Sequence, residues 1–167
     1  MIILSLDLSL NCSGWAVIDT SKRQKKQRLI DYGIIYNKHL SAEQIGLKLY
    51  HIELELKSIL YAFNPDVIVV EELLVNGRYN QSAMMTQAKL AMVHGILNKL
   101  TMKFKNVHAI NNKTLKKEFA GKGNAEKEEV MAKVLEYFPD ACIRTDDMSD
   151  AIALGILYTI QNDICTW

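Results

Sequence analysis

Only 2 prolines and 8 glycines occur among the 167 residues, which leaves no room for a collagenous or low-complexity segment. No apolar run approaches the ~20 residues that span a bilayer. The opening stretch MIILSLDLSL lacks a basic leader region and acquires an aspartate early, so it does not read as a signal peptide. A cytosolic protein is expected. Cys12, Cys142 and Cys165 are odd in number and share no metal-ligand spacing, and His39, His51, His94 and His108 are scattered. These absences argue against a disulfide framework and against zinc. The cysteines read as buried apolar filler.

An excess of one charge is missing too. The net charge is +1, but it conceals an uneven distribution. Lys22, Arg23, Lys25, Lys26 and Arg28 form one basic run, which reads as a solvated turn. A second stretch carries Lys99, Lys103, Lys105, Lys113, Lys116, Lys117, Lys122 and Lys127 with few acids between them. Gly121 and Gly123 interrupt it and would let the backbone approach a phosphate closely. That stretch points to a polyanion. The remaining composition, 49% hydrophobic and 23% charged, is that of a globular chain able to bury one core without staples. One domain over residues 1–167 is expected.

The apolar pattern predicts an α/β fold. IILSLDLS and GWAVIDT read as strands, SKRQKKQR as a hairpin tip, and LIDYGIIY as a third strand. Short turns between them suggest an antiparallel meander. The segment 41–63 has helical spacing, with Ile45, Leu49, Ile52, Leu56, Ile59 and Leu60 on one face and Ser41 as the expected cap. Asn64-Pro65 stops it. DVIVVEE is an uninterrupted apolar strand suited to the middle of a covered sheet. A long helix over 81–100 follows, with Met84, Ala88, Ala91, Met92 and Gly95 on one face; such a face permits close approach of another helix. NVHAI is a fifth strand. KTLKKEFA, AEKEEVMAKVLEYF and DDMSDAIALGILYTIQ read as helices.

Acidic residues fall where these elements end. Asp7 closes the first strand, and Glu71 and Glu72 close the fourth. The carboxyl ends of strands are the usual location of sites in α/β sheets. If strands one and four are neighbours, Asp7 and Glu71 meet there. Asp146, Asp147 and Asp150 crowd the start of the last helix. A helix start alone accounts for one or two of them, whereas Asp150 lies where the helix enters the core. Four clustered acids cannot all stay ionised without compensation. Oxygen-only ligands favour Mg²⁺ or Mn²⁺, and two such ions about 4 Å apart serve phosphodiester displacement.

LSLDLSLNCSGWAVID, VIVVEELL, KKEFAGKGNAEKEEV and DDMSDAIALGI, in this order and spacing, resemble the RuvC family of Holliday-junction resolvases, within the RNase H-like superfamily. The resemblance covers nearly the whole chain, and the compact length is similar to that of phage-encoded members. It implies an RNase H-like fold: a five-stranded mixed sheet, three antiparallel strands then parallel ones, flanked by helices. It also implies a homodimer, joined through the helix around 81–100, that binds four-way and other branched DNA and makes paired nicks. By motif position the metal-binding catalytic acids are Asp7, Glu71, Asp147 and Asp150, holding two Mg²⁺ ions per site with Mn²⁺ able to substitute. Glu71 is preferred to Glu72 and Asp147 to Asp146, which leaves Asp146 as the cap. The family's two phosphate-contacting lysines fall on Lys116 and Lys127, with Lys117 and Lys122 beside them in the same basic stretch. Hydrolysis would leave a 3′-hydroxyl and a 5′-phosphate.

The first motif departs from the family by carrying Leu8 and Ser9 in place of proline and glycine, with Gly14 retained. Where the family often has an aromatic wedge, this chain has Leu74, which can separate bases but offers no stacking surface. Asn76, Arg78 and Asn80 in the same loop are candidates to reach DNA. Two other readings share the scaffold: a branched-DNA-binding protein without catalysis, and a ribonuclease acting on hybrids. A nucleotide-binding protein of the actin type would need a second such domain.

Overall fold

The computed structural model describes residues 1–73, 81–103 and 106–167. Five strands, β1 (Ile2–Asp7), β2 (Cys12–Asp19), β3 (Leu29–Tyr36), β4 (Val67–Glu71) and β5 (Val107–Ile110), form one sheet in the order β3-β2-β1-β4-β5. The first three make the expected antiparallel meander, and β4 and β5 add parallel to β1. The basic run lies in the β2–β3 hairpin, around a 3₁₀ turn at Lys25–Gln27. Strand alternation sends Leu4, Leu6, Ile68 and Val70 to one face and Ile3, Val67 and Val69 to the other.

Helices cover both faces. Helices α1 (Ile45–Phe63) and α2 (Gln81–Thr101) cover the first face, with Ile52, Leu56, Val93 and Leu97 buried against the sheet. A short helix α3 (Asn112–Thr114) runs into a π-helical turn over Leu115–Phe119. With α4 (Lys127–Tyr137) and α5 (Asp146–Gln161) it covers the second face. Each fully buried Leu or Ile here contributes roughly 1.5–3 kcal/mol. Helix α5 is the central prop. Every residue from Ala151 to Thr159 is buried. A Cβ on Gly155 would stand 2.7 Å from Ile18 Cδ1 and 2.8 Å from Ser5 Oγ. The helix therefore presses its glycine directly onto the Ser5 and Ile18 side chains of β1 and β2.

Three local expectations are corrected. Ser41 does not cap α1: the helix begins at Ile45 after Gln44, whose Oε1 accepts the Ser41 N–H at 2.9 Å. The glutamine folds back and makes a turn of the first residues. The stop at Asn64 holds, with the residue in the left-handed region at φ 42° ahead of Pro65. Asp146 is not the cap of α5 either. That position belongs to Thr145, whose extended backbone leaves its Oγ1 to accept the Met148 N–H at 3.3 Å. The cysteines also differ from the filler reading: Cys12 is buried, but Cys142 is exposed. Among the described residues no helix is long and apolar enough to cross a membrane.

Candidate active site

Parallel pairing of β1 with β4 puts Leu6 opposite Val70, so Asp7 and Glu71 emerge side by side at the carboxyl ends of neighbouring strands. By alternation both continue the series Ile3, Ser5 and Val67, Val69, and so face α5. Their carboxyl groups share a hydrogen bond. Burial, then the charges of Glu71, Asp150 and Asp147, holds the Asp7 carboxyl well above the ordinary aspartate range. Burial and the Glu71 charge likewise raise Asp150 to about 6, against an opposing pull from Lys127 and Lys116. The four acids predicted from sequence therefore act on one another electrostatically.

Sequence proximity leaves two choices open, and geometry separates them. Glu71 is half-buried and accepts a 3.0 Å hydrogen bond from Asn112 Nδ2, whereas Glu72 is exposed and bound by Asn111 Nδ2 at 2.9 Å. Asp147 lies against the Cys12 thiol, which burial and then the Asp147 hydrogen bond push up to about 12. Asp146 turns instead to Lys127, with Nζ 3.1 Å from its carboxylate.

Gly14 makes this assembly possible. It pairs with Asp7 across the β1–β2 ladder, and a Cβ there would overlap the Asp147 carbonyl, at 1.8 Å from its oxygen. The backbone of β2 therefore touches the first turn of α5, and only a residue without a side chain fits between them. Neither this role nor that of Asn112 is legible in the sequence. Gly14 stands out there only as the retained glycine of a turn motif. Asn112 carries no signal beyond being a polar residue after a strand.

The lysines divide. Lys116 and Lys127 act on Asp150, Lys116 from the π-helical turn and Lys127 from the start of α4. Lys117 is exposed on the same turn. Lys122 is held by Glu129 in a 2.6 Å ion pair. Leu74, Asn76, Arg78 and Asn80 lie outside the described residues.

Among the described residues no three His, Cys, Asp or Glu side chains already stand in ligating geometry. The donor set nevertheless fits a hard divalent cation: all-oxygen ligands whose mutual repulsion a cation would relieve. Two expected results follow. First, well below pH 4, Asp150 is neutral in both folded and unfolded chains. As pH rises towards about 6 the unfolded chain loses its proton first, so the metal-free fold is progressively destabilised. Thermal unfolding in chelator should therefore show an Asp150→Asn variant gaining on the wild type between about pH 4 and pH 7; a constant gap contradicts the assignment. Second, Asn112→Ala frees Glu71 to swing and should weaken the site's affinity for a divalent cation by roughly 10- to 100-fold, read from a titration with that cation.

The family model for crossover junction endodeoxyribonuclease RuvC matches residues 3–158. A protein of that name from Orientia tsutsugamushi (strain Boryong) is 33% identical over 166 residues, covering 98% of both chains. Another from Ehrlichia chaffeensis is 32% identical over 160 residues, covering 95% of this chain and 96% of its own. These relatives lend no support to a phage-type member in particular. Among solved structures, Thermus thermophilus RuvC in complex with a Holliday junction substrate superposes with a TM-score of 0.78 at 21% identity, covering 98% of this chain and 96% of that one. The fowlpox virus resolvase with its junction DNA gives 0.57 at 16% identity, covering 97% and 99%. At these identities the structures speak for the fold, which is the RNase H-like sheet expected. From the matched span, the relatives and the fold, the chain belongs to the crossover junction endodeoxyribonuclease RuvC family.

Proposed function

We propose that residues 1–167 act as one nuclease domain that binds four-way and other branched DNA as a homodimer and hydrolyses one phosphodiester in each of two strands. One observation carries this reading: two strand-end acids, Asp7 and Glu71, meet two acids from the first turns of α5, Asp147 and Asp150. A protein that only bound DNA would gain nothing from mutually repelling carboxylates on its binding face. The RuvC family is divalent-metal-dependent in general, and the all-oxygen set favours Mg²⁺, with Mn²⁺ able to substitute and two ions per site. Divalent ions held there would supply Lewis-acid charge for activating water and neutralising the scissile phosphate.

The protein's own groups do the rest. Asp7 and Glu71 would hold a divalent cation from the sheet, and Asp147 and Asp150 would complete the set from the helix. Lys116 and Lys127 neutralise charge on the DNA backbone beside the acids, Lys127 after exchanging Asp146 for phosphate. Lys117 and Lys122 extend the basic surface, and Leu74 and Arg78, outside the described residues, remain the candidates to reach the crossover. The outward face of α2 supports the dimer: Ala88, Ala91 and Gly95 are exposed, as are Met84 and Met92 at 60% and 46%. A second copy would cover this face. The bacterial cytoplasm is the setting that accompanies this reading.

The test is cleavage of end-labelled four-way, three-way, flap, linear duplex and RNA–DNA hybrid substrates in Mg²⁺ and in Mn²⁺. Paired nicks in branched DNA, with ends that a ligase reseals directly, are expected. Preferential cutting of the hybrid would replace this reading with a ribonuclease H, and binding without cutting would replace it with a junction-binding protein.

A further inference from the structure

At the same end of the sheet as the four acids, but on the α1–α2 side, lies a cavity of about 250 Å³. Lys38, Lys48 and Lys89 line it, with Leu10 and Asn11 from the β1–β2 turn. Among the described residues no carboxylate lines it, and none of the three lysines makes an ion pair.

Lys48 is the anomaly. It is only 4% exposed, and its Nζ has a neutral partner, Asn11 Oδ1 at 2.7 Å. A buried ammonium is normally paired with an anion. Lys48 also lies in the first turns of α1, where the helix dipole is positive and no acid compensates it. Three cations and a helix start thus converge with no negative charge among the described residues that line the cavity.

The cavity is held in shape. Asn37, fully buried, donates from Nδ2 to the carbonyls of Leu10 and Lys48, each at 3.1 Å. Its Oδ1 meets His51 Nδ1 at 2.7 Å, and its N–H donates to the Asn11 carbonyl at 2.8 Å. One asparagine thereby ties the β1–β2 turn, the end of β3 and helix α1 together. The cavity also adjoins the acids. Asn11 precedes Cys12, whose thiol contacts Asp147, and the Lys38 charge is felt at that thiol.

We propose that Asn11, Lys38, Lys48 and Lys89 form a binding site for one phosphodiester group of a DNA strand, away from the bond that is cut. The inference rests on the junction-nuclease reading. A strand crossing the sheet edge meets this cationic cavity on one side and the acids on the other. Repulsion from the acids is offset there, and the backbone's register against the site is fixed by an interaction that carries no sequence information.

The experiment measures affinity for a fluorescent four-way junction over a salt series, with nicking of the same junction measured alongside. The double variant Lys38→Ala/Lys89→Ala removes two cations while sparing the buried Lys48. Lys25→Ala/Lys26→Ala removes two from the β2–β3 hairpin, at the far end of the sheet. The first should lower the magnitude of the log–log salt slope by about one for each phosphate that is no longer neutralised, and the second should leave it unchanged. If the wild type binds and nicks the junction while both doubles follow the wild-type slope, the site is refuted and the nuclease reading stands. If the wild type binds no branched DNA, both fall. A titration with inorganic phosphate adds a third outcome. Saturable binding of phosphate that disappears in Lys38→Ala/Lys89→Ala, with the DNA slope unmoved, assigns the cavity to a free anion and overturns the proposal.

Discussion

Replacing Asp7 by asparagine is expected to lower the nicking rate by about three orders of magnitude or more, while junction binding persists. The side chain is nearly isosteric, and it sits at the end of a fully paired strand, so the fold has no reason to move. What is lost is charge. Asp7 is the acid on which Glu71, Asp147 and Asp150 all act, and it belongs to the set that would hold a divalent cation. A contribution of several kcal/mol from metal-assisted charge stabilisation corresponds to about tenfold in rate for each 1.4 kcal/mol. Removing a buried, repelled carboxylate should also raise the melting temperature in chelator. A variant that both cuts slowly and unfolds early would point to a structural defect instead. Rate, binding and melting measured on one preparation separate the two.

The second large effect involves no chemical group. Gly14→Ala places a methyl where the Asp147 carbonyl now lies, with the oxygen 1.8 Å and the carbon 2.4 Å away. Backbone has to yield, and it is the backbone that carries Asp147 and, one turn on, Asp150. Misplacement of a reacting constellation by about 1 Å can cost roughly 100-fold in rate, and overpacking costs about 1–3 kcal/mol of stability. Nicking should fall by about that factor or more with junction affinity largely retained. Gly46→Ala provides the contrast. A Cβ there meets nothing within 4 Å, and alanine is the better helix former by roughly 0.5–1 kcal/mol. Its rate should match the wild type. Equal rates for Gly14→Ala and Gly46→Ala would show that the approach of β2 to α5 does not set the site.

These two residues mark what a linear sequence conveys. Asp7 and Glu71 are legible because each ends an apolar strand, and strand period fixes which face a terminal side chain takes. Their meeting depends on β1 and β4 being neighbours, which the apolar pattern leaves as a condition and the parallel pairing of the two strands meets. Gly14 is visible as a residue, but its function lies in its packing against residues more than a hundred positions away. No local pattern encodes that. Asn112 is equally non-local: it holds Glu71 from the element after β5.

The expectation that Asp146 is the cap fails for a different reason. Three good capping residues stand in a row, and only the path of the chain into the helix decides which one keeps an extended backbone. Lys48, by contrast, is open to discovery from sequence. It is three residues beyond Ile45, on the face that Leu49, Ile52 and Leu56 bury, and a lysine in that row needs a reason to be there.

The most direct test of the whole account is single-turnover cleavage of a labelled four-way junction in Mg²⁺ by the wild type and by four single variants: Asp7→Asn, Glu71→Gln, Asp147→Asn and Asp150→Asn. Junction binding is measured for each in parallel. The account predicts paired nicks from the wild type, and binding with cleavage abolished or severely slowed in all four variants. Full cleavage by any one variant would remove that acid from the site. Junction binding by the wild type without cleavage would contradict the account as a whole.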